Sequence, residues 1–274
     1  MNWGRAWVIT RTELRQFRQS RDFILPIGIV AVLFFVVLPA ILLFVVSNVH
    51  GPELTTRLGD VIDTLPSGIR DAAVDQSDDP NAQASYVLAV YLFAPLAILV
   101  PLTVSSAVGA HSIIGERERG TGEFLAHSPA SAREIYVGKM WASLLPGYVA
   151  AVFGFGAYSL IVNIIAGPKL GGWFFPTGNW WVLVFGLIPP FIALAVAMIL
   201  MVSSRVSSAA AAQQLSSLIT LPLILLAYGL AASSISRAVT FAAVIGAGAW
   251  IVAIAALVRG SRSLTRERLL GLGG

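Results

Sequence analysis

The sequence predicts an all-α membrane fold with six transmembrane helices, and three observations carry that prediction. Hydrophobic residues make up 57% of the chain and charged residues only 12%, where a soluble domain has about 25% charged residues to solvate its surface. Six apolar stretches are long enough to cross a hydrocarbon core of about 30 Å, at residues 24–48, 86–110, 139–166, 181–203, 210–232 and 238–258. They lack strand alternation and exceed the length of a barrel strand, so each must satisfy its own backbone hydrogen bonds as a helix. The third observation is where the Lys and Arg lie: with six spans, 14 fall in segments on the side of the two termini and four (Arg57, Arg70, Lys169, Arg237) on the other. Short basic segments resist translocation, so both termini are expected in the cytoplasm, and the membrane is of the bacterial cytoplasmic (inner) type.

Residues 1–23 carry five Arg and place Trp3, Trp7, Thr10, Leu14 and Phe17 at spacings of three and four. That pattern predicts an amphipathic helix lying in the inner headgroup layer. Two readings stay open for it, a topogenic anchor and a helix that packs on an energy-coupling loop. The first apolar run is longer than a signal-peptide core and lacks a small-x-small cleavage pattern, so it is expected to stay in the mature protein.

The external loop, 49–85, holds seven acidic residues against two Arg. Leu54, Leu58, Val61, Ile62 and Leu65 share one helical face there and Pro66 ends the run, which predicts a short helix over the outer mouth. Asp75, Ser77 and Asp79 begin like a calcium loop, but Pro80 replaces the Gly and Tyr86 the bidentate Glu that such a loop needs, so a solvated turn is expected. The connection 167–180 is rich in Gly and Pro, and its Trp and Phe suit an outer interfacial belt. Proline interrupts several spans, at Pro95, Pro101, Pro146, Pro189, Pro190 and Pro222.

Several functions are excluded by what the spans lack. No Asp, Glu, Arg or His lies well inside a span, which disfavours ion-coupled secondary transport and leaves unwound backbone carbonyls as the remaining way to bind sodium. Cys is absent, which removes disulfides and thiolate chemistry. No zinc-protease or serine-hydrolase motif occurs. The Gly115–Thr121 stretch has the glycine spacing of a phosphate loop but neither its Lys nor a preceding strand, so no catalytic residue is assigned and the chain is not expected to be an enzyme. Arg residues flank spans without forming a basic face, which argues for membrane lipid and against nucleic acid as a partner.

The informative segment is 111–138, a charge-dense stretch with balanced signs. Ser131 and Glu134 form a capping-box start for the third helix. Gly120-Thr121-Gly122 and Ser128-Pro129 bracket a short helix, Glu123 to His127, that presents Phe124 and Leu125 as an apolar knob. The run Ile114-Gly115-Glu116-Arg117-Glu118-Arg119-Gly120-Thr121-Gly122-Glu123-Phe124-Leu125, with Pro129, Glu134-Ile135 and Gly138-Lys139 behind it, resembles the loop after the second span of type 2 ABC exporter permeases. Gly122 and Phe124 depart from the Leu common there. The closing Arg266-Glu267-Arg268-Leu269-Leu270 is similar to tails in the drug and sodium export branch.

The resemblance implies a permease that dimerises with a second copy or a sister chain, each seated on a separate ATPase subunit that holds the ATP and Mg. It also implies that Glu116, Arg117, Arg119, Glu123, Phe124 and Leu125 contact the ATPase while Gly120 and Thr121 set the loop geometry. No cofactor is expected in this chain. A path with few charges favours amphiphilic drugs or lipids as cargo, with sodium export open through the resemblance. The alternative reading is a non-transporting membrane scaffold or sensor that recruits a cytoplasmic partner through the same loop.

Overall fold

The structure is a computed structural model that describes residues 1–48, 52–118, 128–203, 209–235 and 239–263; every regular element among them is helical. Helix α1 (Trp3–Gln19) stops at Ser20, whose extended backbone separates it from α2 (Arg21–Val32). A π-helical turn, Leu33–Val37, carries α2 into α3 (Leu38–Asn48). Three short helices follow: α4 (Pro52–Thr64), α5 (Ser67–Val74) and α6 (Pro80–Val87). A second π turn, Leu88–Leu92, leads to α7 (Ala94–Glu118). Then come α8 (Ala132–Ile165), α9 (Gly178–Val182), a third π turn at Leu183–Leu187, α10 (Ile188–Ser203), α11 (Ala209–Ile235) and α12 (Val239–Ser263).

Five runs are long and apolar enough to cross a bilayer: Ile24–Asn48, Pro80–Ser112, Ala132–Ile165, Gly178–Val202 and Ala243–Arg262. The structure thus supports five spans among the described residues where six were expected. The stretch expected as the fifth, 210–232, is helical as α11, but its described apolar part, Gln214–Leu226, is shorter than a bilayer is thick.

Burial separates the middle of the bundle from its rim. The Pro80–Ser112 and Gly178–Val202 runs bury 67% and 72% of their apolar window, against 17% for both Ile24–Asn48 and Ala243–Arg262. Helix α7 is central and packs on α8, α10 and α11, while α12 leans on α10. The α7–α8 crossing is close: a Cβ on Gly147 would collide with Ser105 Oγ and lie 2.5 Å from the Pro101 carbonyl oxygen. Only glycine lets the two backbones approach that far.

The expected short helix before Pro66 is present as α4, with Ile62 buried and Val61 exposed. Asp79 does not belong to a cation loop; its side chain caps α6 by accepting from Asn81 N at 3.1 Å, with Pro80 as the first helical residue. No cluster of His, Asp and Glu that could hold a metal occurs among the described residues.

The connection after α8 differs from the expected aromatic belt. Trp173 and Trp181 are exposed, but Phe175 and Trp180 are buried and stack into Phe155 and Tyr158. Asn163 forces this inward turn. Its Oδ1 accepts from Phe174 N at 3.0 Å and Phe175 N at 3.1 Å, and its Nδ2 donates to the Phe175 carbonyl at 2.6 Å. A loop so fastened carries its neighbouring rings into the core.

Those rings also satisfy a break in the second long run. Pro95 has no N–H to continue the ladder beyond the Leu88–Leu92 turn. Upstream of it, the Ala89 carbonyl accepts from Tyr158 OH at 2.7 Å and the Val90 carbonyl from Trp180 Nε1 at 2.9 Å. Tyr158→Phe keeps the ring and removes one donor, so it should cost about 1–1.5 kcal/mol. A thermal-melt comparison of the purified variant with the parent protein measures it.

Candidate functional site

The densest polar network in the described residues lies where α1 crosses the start of α8, next to the segment marked by the sequence. It begins with Ser131, the N-cap of α8. Ser131 Oγ accepts from Glu134 N at 3.3 Å while Glu134 Oε2 accepts from Ser131 N at 2.9 Å, so the expected capping box is in place. The other carboxylate oxygen, Glu134 Oε1, accepts from Asn2 N at 2.6 Å. Asn2 is the N-cap of α1, with Oδ1 accepting from Gly4 N at 3.0 Å. One carboxylate therefore joins the first turns of two helices, and its negative charge suits both N-termini.

Further along, α1 is fastened at three more points. Arg5 Nη1 donates to the Pro129 carbonyl at 2.7 Å. Thr10 Oγ1 is 3.0 Å from the Ala6 carbonyl in its own helix and 3.1 Å from the Gly138 carbonyl in α8, and its hydroxyl donates between them. The helices touch there because Gly138 has no side chain: a Cβ would sit 2.7 Å from Ile9 Cγ2 and 3.0 Å from the Ala6 carbonyl oxygen. The last point is Lys139, whose side chain is 0% exposed. Its Nζ donates to Glu13 Oε1 at 2.8 Å and to the Ser112 carbonyl of α7. Lys139 thus joins α1, α7 and α8.

This geometry shows what the N-terminal helix packs on. The face carrying Ala6, Thr10 and Glu13 is packed on protein, while Trp3 and Trp7, on the expected apolar stripe, stay 65% and 57% exposed. Only the Thr10 edge of that stripe is buried, with Leu14 and Phe17 half-buried. Arg11, Arg15 and Arg18 are exposed on the remaining side. The helix is part of the bundle's own architecture, glued on one flank and apolar on the next.

Of the residues expected to contact a partner, Glu116 and Arg117 lie by their backbone in the last turns of α7. Arg119, Gly120, Thr121, Glu123, Phe124 and Leu125 fall outside the described residues. Apart from the capping box, the network was not foreseen. Lys139 had counted toward topology and toward the family resemblance, and Glu13 had no assigned role. A signal existed: a Lys just inside an apolar run and an acid at the border of an amphipathic stripe are both costly in an apolar setting unless they meet.

What such a joint can do is mechanical. Helices α7 and α8 bracket residues 119–127, and Lys139, Glu134 and Arg5 bind α1 to that bracket through charge-assisted bonds. These bonds hold α1 against both long helices.

No curated protein matches the chain. Residues 54–247 match the family model described as ABC-2 family transporter protein, a stretch that runs from α4 into α12 and takes in α7, α8 and the bracket between them. This chain, a multi-pass membrane protein by its five apolar helices, belongs to that transporter family.

Proposed function

We propose that this chain is the transmembrane permease subunit of an ATP-driven exporter, seated on a separate ATPase subunit through residues 111–138 and pairing with a second permease to enclose the path. The ATPase holds the ATP and Mg; this chain supplies no cofactor. Both termini lie in the cytoplasm, α1 rests in the inner headgroup layer on Trp3 and Trp7, and α11 is the sixth crossing. The family membership supports an ATPase partner. The observation that carries the reading further is the Lys139 tie, which joins α1, α7 and α8 beside the charge-dense stretch. A closing ATPase pushes the segment that carries Phe124 and Leu125, and the tie turns that push into a joint movement of three helices. The shift requires contacts that differ between the open and closed ATPase.

The test is the double variant Phe124→Asp/Leu125→Asp. Stimulation of the ATPase by the permease should fall at least tenfold, on the order of the more than 1.4 kcal/mol that losing an apolar anchor costs. Membrane insertion should be unchanged. Unaltered coupling, or a chain that copurifies with no ATPase at all, would favour a scaffold instead.

A further inference from the structure

The face of α12 that turns away from the bundle carries a pattern which packing among the described residues does not use. Ile251, Ile254, Ala255, Val258, Arg259 and Arg262 lie along one side, each three or four residues from another of the set, and they line a shallow groove of about 750 Å³. All six are exposed. The groove has an apolar floor at one end and two guanidinium groups at the other.

Its depth is set by a neighbour. Gly260 abuts Tyr136 in the first turns of α8, where a Cβ would lie 2.9 Å from Tyr136 Cζ. Arg259 and Arg262 therefore sit at the level of the α8 N-terminus and of α1, the layer in which Trp3 and Trp7 are exposed. From Ile251 to Arg262 the helix rises about 16 Å. Half of a hydrocarbon core of about 30 Å is about 15 Å. The stripe has the length of one leaflet, with its charges at the headgroup end.

We propose that this face binds one anionic phospholipid, its phosphate between Arg259 and Arg262 and an acyl chain along Val258, Ala255, Ile254 and Ile251. Arginine forks match phosphate oxygens in geometry and charge. A second copy of this chain fits the same face poorly. A two-fold contact would set the arginine pair of one copy against that of the other, and residues 239–263 contain no Asp or Glu to offset it. Charge complementarity selects the lipid.

The experiment needs no ATPase, so its outcome is separate from that of the export reading. The full chain is purified from membranes into nanodiscs of phosphatidylcholine with rising phosphatidylglycerol, and retained lipid is read by native mass spectrometry. Phosphatidylglycerol should be retained in preference to phosphatidylcholine. Arg259→Gln/Arg262→Gln should weaken that retention about 25-fold, about fivefold for each arginine, with an unchanged melt in pure phosphatidylcholine. Millimolar inorganic phosphate should not displace the lipid. Equal retention by parent and variant would overturn the proposal; so would displacement by free phosphate, which would make the site one for a soluble anion.

Discussion

The Glu13→Ala variant will melt well below the parent protein, because it leaves the Lys139 ammonium in a place that water does not reach. Lys139 is fully buried, and Glu13 Oε1 is 2.8 Å from its Nζ. Removing one member of a buried pair costs about 3–5 kcal/mol, chiefly from the charge left behind. The Ser112 carbonyl still accepts from the ammonium, which places the loss toward the lower end of that range. Removing both charges reverses most of it: Glu13→Gln/Lys139→Met replaces the pair by neutral groups of similar reach, and such exchanges are often neutral. A double-mutant cycle on thermal melts in nanodiscs should therefore show strong coupling between the two positions. Tryptophan emission gives a local readout, since Trp3 and Trp7 ride on the helix that the pair holds down. If Glu13→Ala melts with the parent, Lys139 is not held by this contact and α1 is not anchored as described.

Sequence separation explains which parts of this structure were legible in advance. The two ends of the Ser131–Glu134 box are three positions apart, and its hydroxyl and carboxylate reach backbone groups within one turn, so its chemistry is complete in the local text. The long apolar runs follow from lipid thickness alone. Glu13 and Lys139 are 126 positions apart, and no periodicity relates them. Each had a local explanation, a charge on an amphipathic helix and a charge at a span end, and those explanations hid the contact.

Asn163 shows the same limit from another side. Near the end of an apolar helix, it meets the backbone of Phe174 and Phe175 and thereby helps decide which aromatics go inward. The Gly and Pro content of that connection marked it as irregular, which it is, without saying that Phe175 and Trp180 would supply core volume and Trp180 a hydrogen-bond donor to Val90. The face of α1 that packs carries Ala6, Thr10 and Glu13 and leaves out Trp3 and Trp7, and its approach to α8 depends on Gly138 and on the small side of Ala6. Small residues permit close approach but do not name the partner. The residues proposed to contact an ATPase, from Arg119 to Leu125, lie outside the described residues, and that proposal rests on the sequence motif.

Gly147→Ala is expected to be nearly as damaging as loss of the ion pair, although it adds a single methyl group. Ser105 Oγ and the Pro101 carbonyl oxygen already occupy the space that the new Cβ would take, the latter at 2.5 Å. Ser105 can rotate its hydroxyl, which makes no hydrogen bond within the described structure. The Pro101 carbonyl is backbone in the middle of α7 and cannot move without shifting the helix. Overpacking costs about 1–3 kcal/mol and occasionally more, and a clash with a fixed carbonyl in the central α7–α8 seam belongs at the top of that range. Ser105→Gly in the same chain should recover only the part due to the hydroxyl. Gly156→Ala is the internal control, on the same helix with nothing within 4 Å of the added Cβ. There the substitution removes glycine's helix penalty and should stabilise by about 0.5–1 kcal/mol. Opposite signs for two identical changes nine residues apart, read as shifts of the melting midpoint, are the expected result. A Gly147→Ala protein that melts like its Gly156→Ala counterpart would mean that α7 and α8 do not approach at that crossing.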